Sequence, residues 1–169
     1  MSSLPIREKL VDIAGAEVGT VEAGRNTGKK VREYQATTDL GGTGWPWCAA
    51  FVCWCILQWG KDKEVLAALK MTPAQFEKWR PKTAAAFGFI DWAKKNKLQI
   101  LSDSQSETLH AGDIMVFDMS HIGIVANDSG TKVYTHEGNT GATGGREGDG
   151  VWSKARERSQ ARVFIRLLP

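Results

Sequence analysis

Cys48, in Gly44-Trp45-Pro46-Trp47-Cys48-Ala49-Ala50-Phe51-Val52-Cys53-Trp54-Cys55, is the residue of this sequence best placed to act as a nucleophile. Cys48, Phe51, Val52, Cys55, Ile56 and Trp59 recur at helical spacing, and Ala49, Ala50, Trp54 and Leu57 between them are apolar as well. An element apolar all round predicts a buried helix, ending near Gly60. The glycines and Pro46 fix its start, so Cys48 falls in the first turn. First-turn N–H groups lack intrahelical partners and the helix dipole is positive there. Both features favour an anionic sulfur, the reactive form, and the same N–H groups can hold an oxyanion during acyl transfer. Cys53 and Cys55 fall deeper in the element and read as small core residues. Three cysteines bunched within eight positions fit neither a disulfide framework nor a zinc site.

Taken alone, Cys48 could equally be a packed core thiol, since free cysteine is among the most buried residue types. The partners decide. A thiolate nucleophile needs a base that later protonates the leaving amine, and imidazole suits this near neutral pH. The chain has three histidines, so the choice is small. His110 precedes the turn Ala111-Gly112-Asp113 and reads as exposed. His121 opens the apolar run Ile122-Gly123-Ile124-Val125, where Gly123 shares its face and leaves room beside the ring. His136 lies in Val133-Tyr134-Thr135-His136-Glu137-Gly138-Asn139, where period-two alternation puts it on the face opposite Glu137. Glu137 or Asn139 could then accept the N–H of His121 and fix its tautomer, as the acid does in other triads.

The elements that must position these groups divide into two halves. Leu10, Ile13, Ala14, Glu17 and Val18 give a first helix up to Gly19, with Ser2 or Ser3 as its cap. A glycine-dotted loop follows, then a short segment around Val31 and Tyr34. Thr72-Pro73-Ala74-Gln75 reads as a capping box opening a short helix that Pro81 ends. Thr83 is expected to start another helix through Phe87 and Ile90, closed by lysines. Thereafter the period changes. Residues 113–117, 122–126, 132–135, 150–152 and 162–168 are short, rich in Val, Ile, Phe and Tyr, and separated by turn formers, as in an antiparallel meander. Helices followed by strands predict an α+β fold, and 169 residues without repeats or linkers predict one domain, residues 1–169. Five glycines between Gly141 and Gly150 predict a mobile loop beside Asn139.

Composition narrows the function classes. A charged fraction of 24% and a hydrophobic fraction of 42% are those of an ordinary globular protein. The net charge of +3 favours an anionic polymer, but the basic residues are scattered and no nucleic-acid motif appears. The N-terminus lacks the pattern of a secretory signal, and no stretch reaches the roughly 18 apolar residues of a membrane span. The expectation is a monomer made in the cytoplasm, without stable membrane insertion.

Pro46-Trp47-Cys48-Ala49-Ala50-Phe51-Val52, Gly112-Asp113-Ile114-Met115-Val116-Phe117, His121-Ile122-Gly123-Ile124-Val125 and Glu137-Gly138-Asn139-Thr140 together resemble the CHAP domain family, the cysteine, histidine-dependent amidohydrolases and peptidases related to NlpC/P60 and papain-like enzymes. The resemblance covers most of the chain. It implies a papain-like arrangement of N-terminal helices packed on a C-terminal antiparallel sheet, with Cys48 as nucleophile, His121 as base, and Glu137 and Asn139 as the polar positions that orient it. Family members mostly cleave peptidoglycan, as N-acetylmuramoyl-L-alanine amidases or as endopeptidases. Some phage members bind calcium through an acidic loop before the cysteine. Only Asp39 stands there in this sequence, so neither metal nor cofactor is expected.

Trp45, Trp47 and Tyr34 are the candidate groove residues for sugar or peptide, with packing the commoner role for each. A lone catalytic domain without a signal suits a phage lysis enzyme, held in the host bacterial cytoplasm and released by a membrane pore (holin). An interbacterial toxin amidase with a dedicated inhibitor protein would look much the same. Two further alternatives are an amidase for a small glutathione-type conjugate and a non-catalytic wall-binding module.

Overall fold

An all-apolar helix can be satisfied only between other layers, and here it forms the centre of the fold. The computed structural model describes residues 4–103, 107–141 and 148–169. Among the described residues six α-helices precede all the strands: α1 (Leu4–Ala16), α2 (Lys29–Gln35), α3 (Cys48–Trp59), α4 (Lys63–Leu69), α5 (Pro73–Trp79) and α6 (Gly88–Lys95). The strands are β1 (Gln99–Leu101), β2 (Ile114–Phe117), β3 (His121–Asp128), β4 (Val133–Thr140), β5 (Gly150–Arg156) and β6 (Ala161–Arg166). They form one antiparallel sheet in the order β1-β6-β2-β3-β4-β5. The protein is α+β. The meander β2 to β5 follows the chain, and β6 then returns to pair with β2.

Packing follows from the alternation of the strands. Ile114, Val116, Ile122, Ile124, Val151 and Ile165 join α1 and α3 in the main core. The alternate residues Met115, Phe117, Val125, Val133 and Phe164 make a second cluster. Helix α3 lies against β4 so closely that a Cβ on Gly138 would stand 2.6 Å from Phe51 Cβ. Only glycine fits there. Truncating Phe51, wholly buried, would cost about 3–5 kcal/mol in transfer and cavity terms.

Local signals were honoured to different degrees. Thr72 and Gln75 make the reciprocal capping box at α5. The expected helix from Thr83 begins instead at Gly88, because the Thr83 hydroxyl accepts from Ala85 N at 3.1 Å and turns the chain. The segment around Val31 and Tyr34 is the helix α2. Helix α4 and strand β1 had not been anticipated; Asp62 caps α4 by accepting from Glu64 N at 2.8 Å. Ser2 and Ser3, and most of the glycine-rich stretch expected to be mobile, lie outside the described residues. Among the described residues no helix is long and apolar enough to cross a membrane.

Candidate active site

Cys48 is the first residue of α3, following Trp47 at the N-cap. The loop that delivers it is tied down by buried Gln35, whose Nε2 donates to Trp45 O at 2.9 Å and Asn26 O at 3.2 Å and whose Oε1 accepts from Thr43 Oγ1 at 2.7 Å. The stretch from Thr43 to Trp45 that enters the head of α3 is thereby pinned, together with the turn at Asn26, by one amide. Trp47 Nε1 donates to Glu22 Oε2 at 3.1 Å, bracing the loop from the other side. The first-turn N–H groups of α3 have no intrahelical acceptors.

His121 opens β3, directly opposite Phe117 of β2, and the two rings are 5.4 Å apart. Its Nε2 lies 2.7 Å from Glu137 Oε1, so Nδ1 is the ring nitrogen left for the thiol. Cys48 interacts with the ring closely enough to act on its protonation, although no aligned hydrogen bond to Nδ1 is formed. Such contacts in unliganded sites commonly tighten only when substrate binds. Burial disfavours the imidazolium, but Cys48 and then Glu137 outweigh it and push the pKa of His121 up to about 9. The imidazolium form of His121 is therefore favoured at neutral pH.

Glu137 is itself held. Burial alone would protonate it, but Arg156 and His121 keep its carboxyl well below the usual range. Arg156 Nε donates to Oε2 at 2.7 Å and Nη2 donates to Oε1, while Thr135 Oγ1 also donates to Oε2. The pleat makes this possible: Val133, Thr135 and Glu137 share one face, and Arg156 sits opposite Val133 in register. Gly123 leaves the necessary space, since a Cβ there would meet Glu137 Cγ at 2.6 Å. The room beside the ring thus serves the carboxylate. Charges alternate along the chain Cys48, His121, Glu137, Arg156 when the sulfur is ionised, an arrangement in which a thiolate can be generated and a proton returned to a leaving group.

Other expected site residues are placed differently. Asn139 makes no hydrogen bond to His121: the register of β4 breaks between Glu137 and Thr140 and Asn139 takes a left-handed φ of 53°, so its side chain leaves the alternation. Its amide is buried without a hydrogen-bond partner among the described residues. Tyr34 and Trp47 are corrections. Both are wholly buried, stacked on one another at 5.5 Å, and cannot line an open groove. Trp47 packs into the core at the head of α3, against Tyr34. Trp45 is half-buried, with Nε1 on Gly41 O at 3.0 Å. His136 turns away to Ser153 Oγ at 2.9 Å. His110, expected to be exposed, is half-buried. Burial pushes the thiols of Cys53 and Cys55 up, as core residues require.

Arg156 was missed in the sequence. In Lys154-Ala155-Arg156-Glu157-Arg158 it resembles any charged surface stretch, and only the pairing of β5 with β4 brings it over Glu137. Among the described residues no group of three His, Cys, Asp or Glu could hold a metal ion.

The family model described as CHAP domain matches residues 40–139, a stretch that begins just before the Cys48 loop and ends on Asn139. No curated protein and no solved structure gives a significant match to the chain.

Proposed function

The chain belongs to the CHAP domain family of cysteine- and histidine-dependent amidohydrolases and peptidases, and from that premise we propose that it hydrolyses amide bonds of bacterial peptidoglycan. The single observation that carries the reading is the buried chain of contacts from Cys48 through His121 to Glu137 at the head of an apolar helix. In the proposed reaction the Cys48 thiolate attacks the amide carbonyl carbon, forming a C–S bond. The N–H groups opening α3 take the charge of the oxyanion. The imidazolium of His121 gives its proton to the departing amine as the C–N bond breaks. Water, deprotonated by His121, then attacks the acyl carbon; the C–S bond breaks, the acid product leaves, and the thiolate and imidazolium are restored. Glu137 keeps the ring in one tautomer and balances its charge.

Peptidoglycan is the substrate class that fits this family chemistry with a modestly cationic chain, net charge +3, since the wall is polyanionic. Digestion of purified sacculi with mass spectrometry of the soluble products tests it. New N-terminal alanine would mark cleavage between sugar and stem peptide, and new stem-peptide ends would mark endopeptidase action. Intact sacculi, with turnover of a small glutathione-type conjugate instead, would overturn the wall assignment while leaving the cysteine chemistry in place.

A further inference from the structure

We propose that Arg156 is a positioning residue for the Cys48–His121 pair, acting through Glu137 to keep the site electrically balanced when the sulfur is ionised. The inference rests on the Cys–His reading given above. Arg156 is buried, grips both oxygens of Glu137 and lies over the face of Phe117, with its guanidinium carbon 4.9 Å from the ring centre. Phe117 in turn lies against His121. The arginine therefore closes both the charged and the aromatic side of the site.

Among the described residues, Glu137 receives its two-point grip from Arg156. Among the described residues, the groups facing Arg156 include His121 from β3, Glu137 and the Thr135 hydroxyl from β4, and uncharged Phe117 from β2; Lys154 stands two residues along its own strand, and Cys48 completes the chain from α3. The next carboxylates are engaged elsewhere, Glu157 with Lys132 and Asp128 with Arg158 at 3.2 Å. With Arg156 present, thiolate, imidazolium, carboxylate and guanidinium sum to zero. Without it, the state carrying the thiolate is a buried net anion, which a low-dielectric setting disfavours. The proton then returns to sulfur until the pH is higher.

The test uses alkylation of the full-length protein by iodoacetamide, with peptide mapping to read Cys48, since Cys53 and Cys55 are wholly buried. Arg156→Met removes the charge and keeps the apolar stem. Its alkylation profile is expected to move to higher pH by about one unit or more, roughly a tenfold loss of rate at the wild-type midpoint. Arg156→Lys, which offers one ammonium in place of a two-point fork, is expected to move it part of the way, and decides the matter alone if the methionine variant does not fold. A folded variant of either kind with the wild-type profile would overturn the proposal while leaving the function intact. A wild-type Cys48 with no pH-dependent reactivity would overturn the Cys–His reading and the role of Arg156 together.

Discussion

Glu137 Oε1 lies 2.7 Å from His121 Nε2, and neither side chain has any exposed surface. A buried carboxylate in that position is tolerated because it has partners on both sides, and it is the member whose loss should be felt in both stability and rate. Glu137→Gln keeps the shape and removes the charge. It should lower kcat on wall substrate by about 10²–10⁴-fold, the scale seen when the orienting acid of a triad is neutralised. It should also destabilise the fold by about 3–5 kcal/mol in urea unfolding, because the buried Arg156 and His121 both lose the carboxylate they hold. Unchanged kcat would show that the ring needs no orienter.

The pH dependence of stability follows from the same pair. His121 rises from 6.5 to about 9 on folding, so the stability it contributes is fully present below pH 6.5 and is lost as pH climbs through about 9. Glu137 is depressed from 4.5, so its contribution is present above that pH and is lost on acidification below it. Urea unfolding between pH 4.5 and 10 should show a plateau and then an alkaline decline. His121→Gln should flatten the decline. If the decline persists in that variant, it belongs to other groups.

Gly123→Ala tests the space beside the carboxylate. The added methyl would stand 2.6 Å from Glu137 Cγ and 3.2 Å from the His136 carbonyl oxygen, so Glu137 must shift. Overpacking of this kind costs about 1–3 kcal/mol, and a displacement near 1 Å can cost roughly 100-fold in rate. The variant should remain folded by circular dichroism and lose most of its turnover. Full turnover would mean that Glu137 has freedom the packing denies it.

Gln35 carries the loop before the nucleophile. Gln35→Leu strips hydrogen bonds from Trp45 O, Asn26 O and Thr43 Oγ1, each costing about 1–3 kcal/mol if left unsatisfied and buried. The expected result is a lower melting temperature together with a fall in kcat of about tenfold or more. A stability loss with normal kcat would place Gln35 in the scaffold alone.

The order of helices then strands was legible because the hydrophobic period changes near residue 113, and α3 was legible because all its faces are apolar. The head of that helix gave Cys48, and the strand alternation separated Glu137 from His136. What escaped depends on contacts distant in sequence. Arg156 reaches Glu137 only through strand register. For Tyr34 and Trp47 the sequence leaves groove contact and packing both open, and the supporting core under α3 claims them. Asn139 and Glu137 could not be ranked from alternation because the register breaks between them and Thr140. Thr83 chose a local turn over a helix cap, a competition that short side-chain hydrogen bonds routinely decide.

The most direct measurement is release of soluble fragments from purified sacculi by wild-type protein, Cys48→Ala, His121→Ala, Cys53→Ser and His110→Ala, each confirmed as folded. The account predicts release by the wild type, Cys53→Ser and His110→Ala, and none by Cys48→Ala or His121→Ala. Undiminished release by either of the last two would contradict it.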